Sequence, residues 1–129
     1  MRFKVKTRVT DKLFSRYIRE RDNWTCQYCG RVYRPDNARN LGCSHYFGRA
    51  RESVRFDEDN AVALCTLPCH AELGHGEKRD EYRQLMTKRL GEKGMQLLEI
   101  RAERIQKRDD KMMKLVLTQM LDEQSASKS

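Results

Sequence analysis

The pattern of hydrophobic positions at the start of the chain predicts an extended arm followed by one amphipathic helix. Residues 3–9 alternate apolar side chains or threonine with lysine and arginine, a period of two that is typical of a strand or extended arm. Thr10 is of a residue type preferred at helix N-caps, and the apolar spacing after it predicts a helix from Asp11 to about Arg21. The basic side chains expected on its outer face are Lys12, Arg16 and Arg19.

In the middle of the chain the pattern predicts two short strands and a helix. The run AVAL before Cys65 is continuously apolar, and a turn-forming segment, DEDN, precedes it. This order predicts a β-β-α unit and an α+β fold class. The expected elements are a strand over residues 42–47, a segment near its partner at 54–56, a turn at 57–60, a strand at 61–64, and a helix from about Pro68 to Gly74 or Gly76.

The last third of the chain is expected to be helical. Its apolar stripe fits either packing against the core or a seam between two copies of the chain, so a homodimer through these helices stays open. Gly91 and Gly94 predict one break, and residues 108–110 predict a second. The domains expected are a basic arm and helix at 1–22, a core at 23–76, a helical extension at 77–123 and a disordered tail at 124–129.

Composition narrows the class of protein. With 27 Lys+Arg against 19 Asp+Glu, the formal net charge is +8, which favours an anionic partner such as nucleic acid over a merely basic surface. No apolar run is long enough to span a bilayer, and no apolar segment of a signal peptide follows the basic N-terminus. We therefore expect a cytoplasmic protein with no membrane partner, in which paired cysteines bind metal more readily than they form disulfides.

Four of the five cysteines form two close pairs. Cys26 and Cys29 are followed by Gly30, which can take the positive φ of a zinc knuckle, although this pair alone would also fit a redox motif. The second pair, Cys65 and Cys69, can complete a tetrahedral four-thiolate site. The sequence therefore predicts structural zinc.

Three residues between and after these pairs have the chemistry needed to hydrolyse a phosphodiester. His45 on a strand can act as the general base, since imidazole titrates near neutral pH. Asn60 can bond backbone and hold the strand that presents His45, and His70 can bind a catalytic cation. Each also has a simpler interpretation: His45 as a strand residue without a role, Asn60 as an ordinary turn residue, and His70 as a zinc ligand.

Three nearby arginines are candidates for binding the phosphates of a substrate. Arg49, Arg51 and Arg55 can bind phosphates, or can simply be a solubilising surface. Cys43 points to the opposite face from Ser44 on a strand and is the candidate for the unpaired thiol.

The order Cys-x-x-Cys, His, Asn, Cys and Cys-His resembles the HNH endonucleases, a ββα-metal family. The run CSHYFGRARESVRFDEDNAVALCTLPCH, residues 43–70, looks like the NinG recombination nucleases of lambdoid phages. The resemblance covers roughly residues 24–75 and implies an endonuclease that hydrolyses DNA. It implies His45 as general base, Asn60 as the family asparagine and His70 as divalent-metal ligand, with the four paired cysteines binding structural zinc.

Ser44 departs from the family pattern, which has an acidic residue or histidine at this position as a further ligand of the catalytic cation. Because a hydroxyl is a weak neutral ligand, a site built on imidazole is expected to prefer Mn²⁺, Co²⁺ or Ni²⁺ over Mg²⁺. His75 is a candidate additional ligand if the chain turns at Gly74.

Three hypotheses follow for the function of the chain. The first is a metal-dependent DNA endonuclease that nicks, since a single finger has one catalytic centre. The second is a zinc-dependent DNA-binding module without catalysis, and the third is a structural zinc protein whose helices bind another protein.

Overall fold

The computed structural model describes residues 5–74 and 76–128, and within them the chain is α+β, as the sequence predicts. Shorter helical turns occupy Pro35–Asn40, Glu58–Asn60 and Thr66–His70. The five α-helices and two strands of the described residues are, in chain order, α1 Val9–Arg21, β1 Leu41–His45, α2 Glu52–Arg55, β2 Ala61–Cys65, α3 Ala71–Gly74, α4 Arg79–Ala102 and α5 Asp110–Ser127.

The two strands form an antiparallel pair in which Leu41 lies opposite Cys65 and His45 lies opposite Ala61. Every residue of β2 is buried, which explains why its sequence is continuously apolar rather than alternating. Ala61 belongs to a cluster with Phe14 of α1 and Leu117 of α5. The rest of the strand packs into a second cluster that contains residues of α3 and α4. The sheet thus lies between two layers of helices.

The start of α1 differs from the sequence prediction by two residues. The helix begins at Val9 with Arg8 as its N-cap, because the carboxylate of Asp11 accepts a hydrogen bond from the Arg8 amide at 2.7 Å. Thr10, the predicted N-cap, lies inside the helix and is buried. The threonine alone could not reveal the cap, because the turn is closed by Asp11, three residues after the true N-cap Arg8.

Residues 54–56, the segment expected near the partner of the first strand, do not belong to the sheet. Residues 52–55 form helix α2, whose Val54 side chain is fully buried. The Val54 carbonyl accepts a hydrogen bond from the side-chain amide of Asn60 at 3.0 Å. The same carbonyl accepts from the Asp57 amide at 3.2 Å, so local turn bonds and a side chain hold this segment instead of a strand.

The C-terminal third is helical as predicted, and its breaks fall close to the predicted places. Gly91 interrupts α4 with a φ of +75°, a conformation that favours glycine. Asp109 caps α5 by accepting a hydrogen bond from the amide of Met112.

The disordered tail predicted from residue 124 is wrong for residues 124–127, because α5 continues to Ser127. Gln124 donates a hydrogen bond to the carbonyl of Tyr17, and Lys128 forms an ion pair with Glu20 at 2.6 Å. Both partners lie on α1, more than a hundred residues earlier in the chain, so the composition of the tail could not reveal them.

The apolar stripe of α5 divides into a buried and an exposed part. Leu117 is fully buried, whereas Met112, Leu115 and Val116 are exposed. The buried part confirms the predicted packing against the core. That the exposed part forms a seam between two copies of the chain stays a prediction. No helix in the described part of the chain combines the length and apolarity that crossing a bilayer requires.

Candidate metal centre and active site

The two cysteine pairs come together in one cluster. The sulfur atoms of Cys26, Cys29, Cys65 and Cys69 all lie within 4.8 Å of one another, and those of Cys29 and Cys65 are 3.8 Å apart. A tetrahedral zinc ion with Zn–S bonds of about 2.3 Å places its sulfur ligands about 3.8 Å apart. The cluster is therefore compatible with a structural zinc site.

Local backbone bonds explain how each pair reaches this position. In the first pair, the Gly30 amide donates to the Cys26 carbonyl at 2.9 Å, and Gly30 has a φ of +80°. The Gln27 amide donates to the Ala63 carbonyl at 2.9 Å and so joins this turn to β2. Cys65 is the last residue of β2, and Cys69 follows in the turn that leads into α3.

The environment of Cys26 favours the thiolate that metal binding needs. Burial opposes ionisation of this thiol, but hydrogen bonds from the backbone of Cys29, Cys65 and Tyr28 outweigh that penalty and lower its pKa to about 7.

His45, the predicted general base, is held by a single backbone bond. Its Nε2 atom lies 2.8 Å from the carbonyl oxygen of Arg55, and its ring packs 5.6 Å from the ring of Phe14. Because a carbonyl can only accept, Nε2 carries the ring proton and Nδ1 keeps the free lone pair. This is the tautomer that a neutral base requires.

Burial is the main reason why the pKa of His45 falls to about 4. The positive charge of Arg49 adds to this effect, while the bond to Arg55 opposes it. The imidazole is therefore neutral at pH 7 and available to accept a proton. The same shift makes it a weaker base than a free imidazole, which lowers the driving force for proton transfer.

Asn60 binds the backbone just beyond His45, as expected from the sequence. Its side-chain oxygen accepts from the Phe47 amide at 2.9 Å, and its side-chain nitrogen donates to the Phe47 carbonyl at 2.9 Å. The residue is fully buried. Its amide thus connects the start of β2 to the chain that leaves β1, and this fixes the end of the strand that presents His45.

His70 lies against the backbone of two glycines. A Cβ atom added at Gly42 would lie 3.6 Å from Nδ1 of His70, and one added at Gly74 would lie 3.1 Å from its Cδ2. His70 is not a member of the four-cysteine cluster. His70 and His45 instead line the same cavity of about 600 Å³, together with Cys43 and Arg49.

Ser44 is not among the residues that line this cavity, and its role as a cation ligand stays a prediction. It is fully buried, and its hydroxyl lies 2.7 Å from the hydroxyl of Tyr82. Adjacent strand residues point to opposite faces, so Ser44 meets α4 while His45 meets α1. His75, the other suggested ligand, lies outside the described residues.

The three arginines predicted to bind DNA have three different environments. Arg49 lines the cavity, and its guanidinium lies 3.6 Å from Asp11. Arg51 stacks at 5.2 Å over the ring of Phe47 and lies 3.4 Å from Glu103, away from the cavity.

Arg55 is buried, and most of its guanidinium N–H groups donate hydrogen bonds within the protein. It binds both carboxylate oxygens of Asp11, at 2.9 and 2.5 Å, and also the carbonyls of Lys6 and Arg49. Four of the five N–H groups of Arg55 thus already have partners within the protein, which argues against the prediction that this residue binds phosphate.

Two residues that bind predicted site residues, Asp11 and Tyr82, were not predicted from the sequence to do so. Asp11 orients Arg55 from 44 residues away, and Tyr82 binds Ser44 from 38 residues away. Neither belongs to a motif, so no local signal could have found them.

Cys43 lies on the cavity outside the cysteine cluster, and burial raises the pKa of its thiol to about 12.

A larger cavity of about 880 Å³ lies beside the cysteine cluster and is lined by Arg31, Arg34, Thr66 and Leu67 among others. Neither His45 nor His70 lines it, so the candidate acid–base chemistry belongs to the smaller cavity.

No family model, no curated protein and no solved structure matches this chain. The fold and the site by themselves define a small α+β protein with a four-cysteine cluster suited to structural zinc. Two histidines, His45 and His70, share one cavity.

Proposed function

We propose that this protein is a metal-dependent endonuclease of the HNH type that hydrolyses DNA phosphodiester bonds and nicks one strand at a time. The observation that carries the proposal is the shared cavity of His45 and His70, with the Nε2 proton of His45 committed to the Arg55 carbonyl. The residue order given above adds the resemblance to that family.

In this proposal His45 is the general base. Its Nδ1 atom takes a proton from a water molecule, and the resulting hydroxide attacks phosphorus and displaces one of the two ester oxygens. Asn60 holds the end of β1 through Phe47. Arg49 on the cavity wall contributes positive charge next to the phosphate.

His70 is the candidate ligand of the catalytic cation. A divalent cation bound there would neutralise charge on the phosphate and on the leaving oxygen. His70 is the only one of the predicted cation ligands in the described chain that lines the cavity. The cation would take its other ligands from water and phosphate oxygens. Because the one protein ligand is an imidazole nitrogen, Mn²⁺, Co²⁺ or Ni²⁺ should serve better than Mg²⁺.

The position of Ser44 favours a second candidate function. If one imidazole is too weak to hold a cation, the chain would be a zinc-dependent DNA-binding module without catalysis. The net charge of +8 suits both functions equally.

The decisive experiment is nicking of supercoiled plasmid by the zinc-loaded full chain, with Mn²⁺, Co²⁺, Ni²⁺ or Mg²⁺ added. Wild type is compared with His45→Gln and with Gln96→Ala, which changes an exposed residue of α4. A contaminating nuclease would cut in all three preparations. The proposal expects nicking by wild type and Gln96→Ala and a loss of at least about 100-fold in His45→Gln.

Equal nicking by His45→Gln and wild type would contradict the assignment of the base. Plasmid retention without nicking in any of the four metals would favour the binding module. Faster cleavage in Mg²⁺ than in Mn²⁺ would contradict a cation held through imidazole.

A further inference from the structure

One side of helix α1 forms a wall of the cavity that contains His45 and His70. Lys12, Ser15 and Arg19 all line it. They are spaced three and four residues apart, so they share one side of the helix. The proposed chemistry does not use this row of side chains.

The row is strongly positive where it meets the cavity. Lys12 is exposed to solvent, and Arg49, whose guanidinium lies 3.6 Å from Asp11 of the same helix, adds a third cation to the lining. The lining also includes the carboxylate of Asp11, but Arg55 binds both of its oxygens and neutralises it. The cavity therefore presents an excess of positive charge to any ligand that enters.

Arg19 is held in place rather than free to turn into solvent. Its guanidinium lies 5.0 Å from the ring centre of Trp24, and its Nε donates to the Ser15 carbonyl at 3.2 Å. A cation that is already ordered loses less side-chain entropy when it binds a ligand. Arg19 thus extends the positive row from Lys12 towards Trp24.

From these contacts we infer that the Lys12–Ser15–Arg19 face of α1 binds the phosphate backbone of the DNA that enters the cavity. The inference rests on the proposed function for the identity of the polyanion. Lys12 and Arg19 are separated by about two helical turns, so the two cations suit a ligand with several phosphates along its length. A small anion would need only one of the two cations. This face positions the strand and takes no part in the chemistry.

Arg16 offers a matched control on the same helix. It is also exposed and positively charged, but it lines a different cavity, together with Glu20 and Asp122. The variants Lys12→Gln, Arg19→Gln and Arg16→Gln each remove one positive charge from α1. General loss of charge should affect all three equally, whereas the inferred surface should be sensitive only to the first two.

The experiment is fluorescence anisotropy of a labelled DNA duplex, titrated with the zinc-loaded full chain without a catalytic cation. Each variant is measured at several salt concentrations between about 50 and 200 mM. Far-ultraviolet circular dichroism reports that each variant is folded, because the fluorescence of Trp24 would itself respond to the loss of Arg19.

Each phosphate contact contributes about 0.9 to the slope of log affinity against log salt. We expect Lys12→Gln and Arg19→Gln each to reduce this slope by about 1, and Arg16→Gln to leave it unchanged. Over that fourfold salt range one contact corresponds to a factor of about 3.5 in affinity. An equal change in Arg16→Gln, or no change in a folded Lys12→Gln, would overturn the inference.

The nicking assay separates this inference from the proposed function. If Lys12→Gln weakens binding but neither it nor wild type cuts, the phosphate surface stands and the nuclease proposal fails. If wild type nicks and Lys12→Gln binds and nicks equally well, the nuclease proposal stands and the α1 surface is wrong.

Discussion

Asp11 and Arg55 form a buried, bidentate ion pair, and the backbone of the same arginine holds the proposed general base. Two bonds of 2.9 and 2.5 Å join the carboxylate to the guanidinium, and the Arg55 carbonyl accepts from His45 at 2.8 Å. Burial opposes ionisation of Asp11, but hydrogen bonds from Arg55 and Arg8 outweigh it and hold the pKa of Asp11 below its usual value. Helix α1 is thereby connected to the position of the imidazole.

Replacing Asp11 by Asn should destabilise the fold strongly. The change leaves the buried guanidinium of Arg55 without its counter-charge, which costs about 3–5 kcal/mol when a buried pair is broken from one side. Chemical denaturation at pH 7 measures the loss. Glu103→Gln is the matched control, since its ion pair with Arg51 is exposed and should contribute at most about 1 kcal/mol. Equal effects of the two changes would show that the Asp11–Arg55 pair contributes no more than a surface contact.

Zinc content should depend on four of the five cysteines. Wild type and Cys43→Ser are expected to bind one zinc ion per chain, because Cys43 lies outside the cluster. Cys29→Ser should bind zinc far more weakly, and a chelator should unfold the wild type, since structural zinc contributes directly to folding.

Metal analysis of the purified chains, followed by circular dichroism with and without chelator, tests this expectation. Retention of full zinc by Cys29→Ser would mean that the cluster does not bind as four thiolates.

His45 should titrate near pH 4 rather than near 6.5. Its folded pKa of about 4 lies below the unfolded value, so the unfolded chain binds the proton more tightly between those two pH values. Stability should therefore fall as the pH drops from about 6.5 to 4, by at most about 3 kcal/mol from this group. The neutral form of the base is present above about pH 4, so activity should not be limited by His45 at pH 6.

NMR of the imidazole ring in the zinc-loaded protein gives the midpoint directly, and a value near 6.5 would contradict a buried base. His45→Gln is the control for stability, since its unfolding free energy should lack this contribution to the pH dependence.

Ser44 should contribute to stability through Tyr82 and not to cation binding. Ser44→Ala leaves the buried Tyr82 hydroxyl without its partner, which costs about 1–3 kcal/mol. The double variant Ser44→Ala/Tyr82→Phe should cost less than the sum of the single changes, because both polar groups are then removed together. Ser44→Asp would bury a carboxylate and should destabilise the fold rather than improve a metal site.

Denaturation of the four chains of this cycle gives the coupling energy, and the Mn²⁺ dependence of nicking gives the role in catalysis. If Ser44→Ala folds but needs a much higher Mn²⁺ concentration for nicking, Ser44 would be a ligand of the catalytic cation.

The sequence was sufficient wherever the controlling interactions are local. Cysteine spacing and Gly30 predicted a cluster that the structure assembles, and the apolar run before Cys65 predicted strand β2.

Tertiary packing decided which of the predicted side chains reach the cavity. Ser44 and His45 are neighbours, yet one meets Tyr82 of α4 and the other meets Phe14 of α1. Alternation along a strand follows from the sequence, but which helix covers each face depends on contacts far apart in the chain. For the same reason Arg55 looked like a phosphate ligand until Asp11, 44 residues away, was found to occupy its guanidinium.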